Sequence, residues 1–171
     1  MKTIYAAAFV ALMLCVVSSC RKLTDNLNPS NPDWTAATHG KDTAPNYDVV
    51  FPQNQVNTLE ITLGAEQWKA IQADMLTRSG MAFGSGRMTV PGGIPGGNPL
   101  DLIPGDPIYV ASTVKFNGKA WEKVGFRLKG NSSLSSTWRT GSYKLPFRLH
   151  FDRLEDQHPD IKNQRFYGFR E

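Results

Sequence analysis

Three stretches of the C-terminal half decide the fold: PIYVASTVKFNGKAWEKVGFRLKGNSSL (residues 107–134), SYKLPFRLHFD (142–152) and IKNQRFYGF (161–169). Apolar residues alternate with polar ones in the first two stretches, which is typical of half-buried β-strands. Asn117-Gly118 divides the first stretch and favours the tight turn of a β-hairpin, because both residues tolerate a positive φ. The pattern predicts strands over 109–116, 121–129 and 145–151.

Two further elements precede these strands. Leu59, Ile61 and Leu63 alternate with polar residues and predict another strand. Over residues 66–78 apolar side chains recur at helical spacing, which predicts an amphipathic helix that covers the apolar face of the sheet. Pro146 has no N–H to donate, so its strand lies at an edge or is bulged there. The predicted fold class is α+β: a mostly antiparallel, twisted sheet with one packed helix.

The N-terminus has the pattern of an export signal. Lys2 precedes an apolar run over 4–17, and small residues follow before Cys20, as in a secretory signal peptide. Val17-Ser18-Ser19-Cys20 also matches a bacterial lipobox, in which residues 1–19 are removed and Cys20 is lipidated. The alternative is an ordinary signal peptide with an incidental cysteine. We predict an exported lipoprotein of the cell envelope, held on a membrane through Cys20.

Composition divides the rest of the chain. Residues 20–47 are rich in Asn, Pro, Asp and Thr and predict a flexible tether, whereas residues 48–171 are long enough for one domain. Within that domain, residues 79–107 form a Gly/Pro-rich insertion without helix or strand. The alternative, a mobile phosphate-covering loop, lacks a complete glycine fingerprint. The formal charge of +4 is too small to predict a nucleic-acid partner.

The predicted sheet has one apolar face and one basic face. Arg127, Lys129, Lys144 and Arg148 could converge on the basic face, beside a Gly-Asn-Ser-Ser loop at 130–133. Several cations and free backbone N–H groups suit a polyphosphate, which needs both charge neutralisation and donors. The alternative is a solvated strand face, where Lys and Arg are common.

The order and wording of these segments resemble the N-terminal part of the spore coat protein H (CotH) family. The resemblance covers roughly residues 49–168 and is carried by NTLEITLGAEQWKAIQADM (57–75), TVKFNGKAWEKVGFRLKGNSSL (113–134), KLPFRLHFD (144–152) and IKNQRFYGF (161–169). Members of that family adopt an atypical, kinase-like fold, and some transfer phosphate from ATP to protein. The resemblance therefore implies the N-terminal lobe of such a fold.

The resemblance also implies roles for particular residues. Lys129, Asn131 and Ser132 correspond to the nucleotide-side loop, and Lys144 or Arg148 corresponds to the strand cation that binds phosphate. ATP and Mg²⁺ are the cofactors implied for a full-length member, and a surface protein is the implied substrate. His150 departs from the acidic or small polar residue of many relatives.

The family's catalytic carboxylates lie beyond the Phe-Tyr-Gly-Phe segment, after which this sequence continues only with Arg170 and Glu171. We therefore expect either an N-terminal fragment of a larger protein or a truncated gene product, which in both cases lacks the catalytic half and is inactive as a kinase by itself. Its partner would be the missing C-terminal lobe. No catalytic or metal-binding residue is assigned. The acidic residues before Asn163 are interpreted as a solvated loop rather than a metal site: Asp152, Glu155, Asp156 and Asp160.

The alternative function is a non-enzymatic module of the cell envelope that binds glycan or protein. Exposed aromatic residues would form its binding platform, namely Trp121, Trp138, Phe166, Tyr167 and Phe169. In the competing interpretation, Phe166 and Phe169 close the sheet against the missing half.

Overall fold

A computed structural model describes residues 33–86 and 105–171. The predicted signal peptide, Cys20 and most of the predicted insertion lie outside the described residues. The helices are α1 (Ala36–His39), α2 (Tyr47–Val50), α3 (Ala65–Ser79) and α4 (Ser132–Arg139). The strands are β1 (Leu59–Thr62), β2 (Val110–Phe116), β3 (Lys119–Leu128) and β4 (Phe147–His150), and a 3-10 helix spans Pro159–Ile161.

The four strands form one antiparallel sheet in the order β1-β2-β3-β4. Strands that follow each other along the chain are neighbours in space, and this arrangement confirms the predicted α+β class. At the β2–β3 turn, Asn117 and Gly118 have φ of 49° and 73°, as a tight hairpin turn requires. The likeness to a kinase-like lobe stays a prediction.

A β-bulge in β3 changes the predicted faces of that strand. Ser112 pairs with Val124, but Val114 pairs with Trp121, so two residues of β3 lie opposite Thr113. Lys123 adopts a φ of 55° within the bulge, and its ammonium lies 2.7 Å from the Asp160 carboxylate. A bulge inserts one extra residue, so Trp121 and Val124 both face the core although they are three positions apart.

Helix α3 confirms the predicted helix and covers one half of the apolar face. Its residues Ile71 and Met75 are buried in one cluster with Val110, Phe126 and Leu128. Aromatic residues from the C-terminal segment cover the other half of the sheet, where Phe166 and Tyr167 pack with Trp121 and Phe116. Ile61 and Leu149 contact both clusters, so the core is continuous.

Helix α4 corrects the prediction of a loop after β3 and of only one packed helix. Leu134 and Trp138, four residues apart, are fully buried against the α3 cluster. The Trp138 indole N–H donates to the Met81 carbonyl at 3.0 Å. The sequence was misleading because serine and threonine are poor helix formers, while the packing of two large side chains stabilises the helix.

The structure also corrects the tether, because residues 33–47 are part of the domain. His39 is fully buried, and its ring stacks on Trp121 with centroids 4.5 Å apart. The Tyr167 N–H donates to the Thr38 carbonyl at 2.8 Å, and the Asn46 N–H donates to the Tyr167 carbonyl at 2.9 Å. The composition hid this docking because it depends on backbone hydrogen bonds and ring stacking rather than on aliphatic residues.

Within residues 33–86 and 105–171, no helix has the length and hydrophobicity needed to cross a bilayer.

Candidate phosphate-binding site

The chain turns directly from β3 into α4 at Lys129-Gly130-Asn131. The Lys129 N–H donates to the Pro146 carbonyl at 2.9 Å, so Lys129 still pairs with the segment that leads into β4. Gly130 follows with a φ of 97°, a conformation that favours glycine. A Cβ at Gly130 would lie 3.0 Å from the Ser133 hydroxyl oxygen. A tight strand-to-helix turn therefore replaces the predicted open loop.

The N-terminus of α4 opens at this turn. The first α-helical hydrogen bond runs from the Ser135 N–H to the Asn131 carbonyl at 2.8 Å, and the Asn131 side chain makes no capping hydrogen bond to the helix. The N–H groups of the first turn, including Ser132 and Ser133, point out of the helix end and give it partial positive charge. Both serines are exposed, so this end of the helix is open to an anion.

Two lysines lie near this turn along the backbone. Lys129 immediately precedes the turn, and Lys144 lies two residues before Pro146, to which Lys129 is paired. Both lysines are exposed. The structure thus brings four of the six predicted site residues to one end of the sheet, and we call this group the turn site: Lys129, Asn131, Ser132 and Lys144.

Arg127 and Arg148 form a second group further along the sheet. They are direct cross-strand partners in the β3–β4 pair. Arg127 is buried, so the alternative of a solvated strand face does not hold for it. Its Nη1 lies 2.5 Å from Asp106 Oδ1, and its Nε donates to the Tyr109 hydroxyl at 3.2 Å. Arg148 Nη1 lies 3.2 Å from Glu171 Oε2. The alternation showed which face they share, but not their burial or their partners.

The Arg127 ion pair shifts both partners toward their charged forms. The hydrogen bond from Arg127 lowers the pKa of the Asp106 carboxyl. Burial opposes the charge of Arg127, but hydrogen bonds to Asp106 and Tyr109 outweigh it and raise the pKa of the guanidinium. An anion that binds Arg127 must therefore compete with the Asp106 carboxylate for a permanently charged guanidinium.

The acidic segment after β4 contains a buried anchor rather than only solvated side chains. The Asp152 side chain is 2% exposed, and it accepts hydrogen bonds from Arg165 Nη1 at 2.5 Å and Arg170 Nε at 3.0 Å. Burial disfavours its charge, but these hydrogen bonds prevail and lower the pKa of Asp152. His150 Nε2 lies 2.9 Å from Asp152 Oδ1 without making a hydrogen bond. The prediction of a solvated Asp152 was wrong.

This buried carboxylate has a structural role that the sequence reasoning missed. Asp152 joins the end of β4 to the C-terminal segment through two arginines, whose positions in the sequence give no sign of the pairing. Among the described residues, no group of three or more His, Cys, Asp or Glu side chains could hold a metal ion.

The predicted aromatic platform is also wrong, because most of its members are in the core. Trp121 and Trp138 are fully buried, and Phe166 and Tyr167 are buried as well. A different set of aromatic residues is exposed along a groove of about 480 Å³ beside β4. Phe51 and Phe147 line it with 58% and 44% of their surface exposed. We call this the apolar groove. Its lining is mostly apolar but also contains charged side chains: Val50, Phe51, Leu59, Phe147, Leu149, Phe151, Phe166 and Phe169, with Lys129, Arg148 and Glu171.

No protein-family model, curated protein or solved structure matches this chain.

Proposed function

We propose that this protein is a CotH-like envelope lipoprotein whose turn site binds the phosphate groups of ATP. The observation that supports the proposal is the strand–Gly–helix turn, in which the exposed Lys129 precedes the N-terminus of α4 and pairs with Pro146, two residues after the exposed Lys144. Helix N-termini bind phosphate because their N–H groups and partial positive charge act on the same anion. Lys129 and Lys144 add the charge that a polyphosphate needs.

In this proposal, the residues of the turn site bind and position the nucleotide. The N–H groups of Ser132 and Ser133 would donate to phosphate oxygens, and the hydroxyl of Ser132 offers a further donor. Lys129 and Lys144 would neutralise charge on either side. The CotH resemblance supplies the proposed activity, transfer of phosphate from ATP to a surface protein. We assign no catalytic residue among the described side chains.

Removal of either lysine tests this proposal. We expect Lys129→Ala and Lys144→Ala each to weaken ATP binding about tenfold, because each loses one charge-assisted contact. Lys162→Ala is the matched control, since Lys162 is an exposed lysine outside the turn site. Calorimetry on the purified protein measures all three variants. Unchanged affinity in both turn-site variants would refute the assignment.

Cys20 supplies a separate test of the proposed location. A lipid on Cys20 would hold the protein on a membrane, whereas its loss leaves only the soluble domain. We expect Cys20→Ser to move the protein from the membrane fraction to the soluble exported fraction and to abolish metabolic labelling by a fatty acid. Cys15→Ser is the control, because Cys15 lies inside the predicted signal peptide. Persistent labelling of Cys20→Ser would contradict the lipoprotein prediction.

The second candidate function is a non-enzymatic binding module, and the apolar groove favours it. Phe51, Leu59 and Phe147 expose 58%, 40% and 44% of their surfaces. Further apolar side chains line the groove, together with Lys129, Arg148 and Glu171. Such a mostly apolar surface suits a protein segment that presents apolar side chains. Retained binding of an envelope protein after loss of ATP binding would favour this candidate.

A further inference from the structure

The ion pair between Asp106 and Arg127 is unusual in the exposure of its two members. The Arg127 side chain is 7% exposed, whereas that of Asp106 is 81% exposed. Most exposed carboxylates pair with exposed lysines or arginines and gain little from the contact. Here an exposed carboxylate reaches a guanidinium that the domain has otherwise removed from water. The contact is therefore located at an opening through which a buried cation meets the solvent.

The guanidinium is held in place independently of Asp106. Arg127 Nε donates to the Tyr109 hydroxyl at 3.2 Å, and its central carbon lies 5.4 Å from the centre of the Tyr109 ring. Arg153 lies on the same ring at 5.3 Å. Because Tyr109 accepts the hydrogen bond from Arg127, its own hydroxyl proton is left for donation to an anion.

A second cation lies next to this opening. Arg148 is the cross-strand partner of Arg127 on β4, and its ion pair with Glu171 joins two partly exposed side chains at 3.2 Å. Arg148 also acts on the charge of Asp106. Asp106 thus contacts one guanidinium directly, that of Arg127, which also donates to the Tyr109 hydroxyl. Arg148 and Arg78 act on the Asp106 charge from a greater distance. Guanidiniums and hydroxyls are donors that commonly bind phosphate.

We infer that Arg127, Arg148 and Tyr109 form an oxyanion site and that the Asp106 carboxylate occupies it as an internal ligand. A phosphate group must displace Asp106 to bind there. The Asp106 carboxylate carries only one negative charge, and it occupies the site because its attachment to the chain gives it a high local concentration. A di- or polyphosphate carries more charge and more acceptor oxygens. The site binds a phosphate group, and competition from Asp106 lowers the affinity of that binding. The inference rests on the proposed function only for the natural source of that phosphate.

Removal of the internal ligand tests this directly. Because Asp106 is exposed, Asp106→Ala leaves the core intact, and we expect it to bind pyrophosphate about tenfold more tightly than the unaltered protein. Asp160→Ala is the matched control, since it also removes a carboxylate from an ion pair, but from the partly exposed Lys123. Calorimetry at low ionic strength gives the three dissociation constants. Equal affinity of the two variants would overturn the inference.

Further substitutions identify the side chains responsible for the tighter pyrophosphate binding of Asp106→Ala. Adding Tyr109→Phe to Asp106→Ala removes one hydroxyl and should abolish a measurable part of the tighter binding; adding Arg127→Met should abolish all of it. If the Arg127 variant does not fold, the Tyr109 variant still decides the matter. Full retention of the gain in the Tyr109 variant, or in a folded Arg127 variant, would refute the site.

The two proposals fail in different ways. If Lys129→Ala leaves ATP binding unchanged while Asp106→Ala still tightens pyrophosphate binding, the proposed function falls and the oxyanion site stands. If Lys129→Ala weakens ATP binding while Asp106→Ala behaves like Asp160→Ala, the turn site stands and the internal-ligand inference falls.

Discussion

His39 shows how one side chain holds the N-terminal segment. Its ring lies between Trp34 and Trp121, with centroid distances of 5.0 and 4.5 Å. Its Nε2 lies 3.0 Å from the Ala120 carbonyl oxygen, which can only accept, so Nε2 carries the proton. Nδ1 then accepts from the Thr38 hydroxyl at 2.7 Å. Burial lowers the pKa of His39 to about 4, because the charged form loses its hydration.

The pH dependence of stability follows from this shift. The folded-state pKa lies below the ordinary value of 6.5, so the neutral ring stabilises the folded protein fully above about pH 6.5, and this contribution is lost as pH falls toward 4. We expect a loss on the order of 2 kcal/mol. Urea unfolding at pH 7.5 and 4.5 measures it in the unaltered protein and in His39→Gln.

The His39→Gln variant should be less stable at pH 7.5 but should lose less free energy of unfolding between the two pH values. His158→Gln is the control, since His158 is only partly buried. An identical pH slope in His39→Gln and the unaltered protein would show that His39 does not titrate on unfolding.

At the scale of elements, a turn in the C-terminal segment joins the first and last parts of the domain. The Phe169 N–H donates to the Phe166 carbonyl at 2.9 Å, and Gly168 has a φ of 86°. A Cβ on Gly168 would lie 2.5 Å from the Ala44 carbonyl carbon, so two backbone segments approach here as closely as glycine allows. The strands and the N-terminal segment therefore depend on one another through this turn.

Substitution of this glycine should release the N-terminal segment. We expect Gly168→Ala to destabilise the protein by about 2 kcal/mol or more, because it adds a backbone clash to the strain of a positive φ. Gly80→Ala isolates the strain, since Gly80 has a φ of 68° and nothing lies within 4 Å of its Cβ position. Hydrogen exchange should rise at the Tyr167 and Asn46 amides in Gly168→Ala alone. Equal losses of stability in the two variants would contradict the predicted clash.

The whole molecule exposes the apolar groove on the side of the sheet that ends in β4. β4 is an edge strand of the sheet, and the Phe151 N–H beyond it donates to the Arg170 carbonyl at 2.8 Å. The groove lies next to this edge. Exposed apolar residues beside an edge strand promote association between molecules.

We therefore expect the isolated protein to self-associate as its concentration rises. Phe51→Ser combined with Phe147→Thr should increase the monomer fraction severalfold, because both changes remove exposed aromatic surface from the groove. Tyr143→Ser is the control, since Tyr143 is 78% exposed but lies outside the groove lining. Light scattering across a concentration series measures the effect. A clean monomer before any substitution would contradict the expectation.

The turn site was partly accessible to sequence reasoning. Lys129, Asn131 and Ser132 are consecutive or nearly so, and the strand before them has a clear alternation, so their proximity follows from local structure. The helical state of the next residues was missed, although Leu134 and Trp138 at a spacing of four residues were a signal for it. The sequence did not predict that Arg127 lies apart from the turn site, because Arg127 pairs with Asp106, a residue before β2 that is distant in the chain.

By itself, the sequence determined the antiparallel sheet, the β2–β3 hairpin and helix α3. Their signals are the period of apolar residues and the conformational preference of Asn117-Gly118, which act between near neighbours. Only the tertiary structure decided that Asp152 and Arg127 are buried, that α4 forms, and that residues 33–47 join the domain. Each of these outcomes depends on a partner that is distant in the chain, and the free energy of such a contact depends on burial that no local pattern specifies.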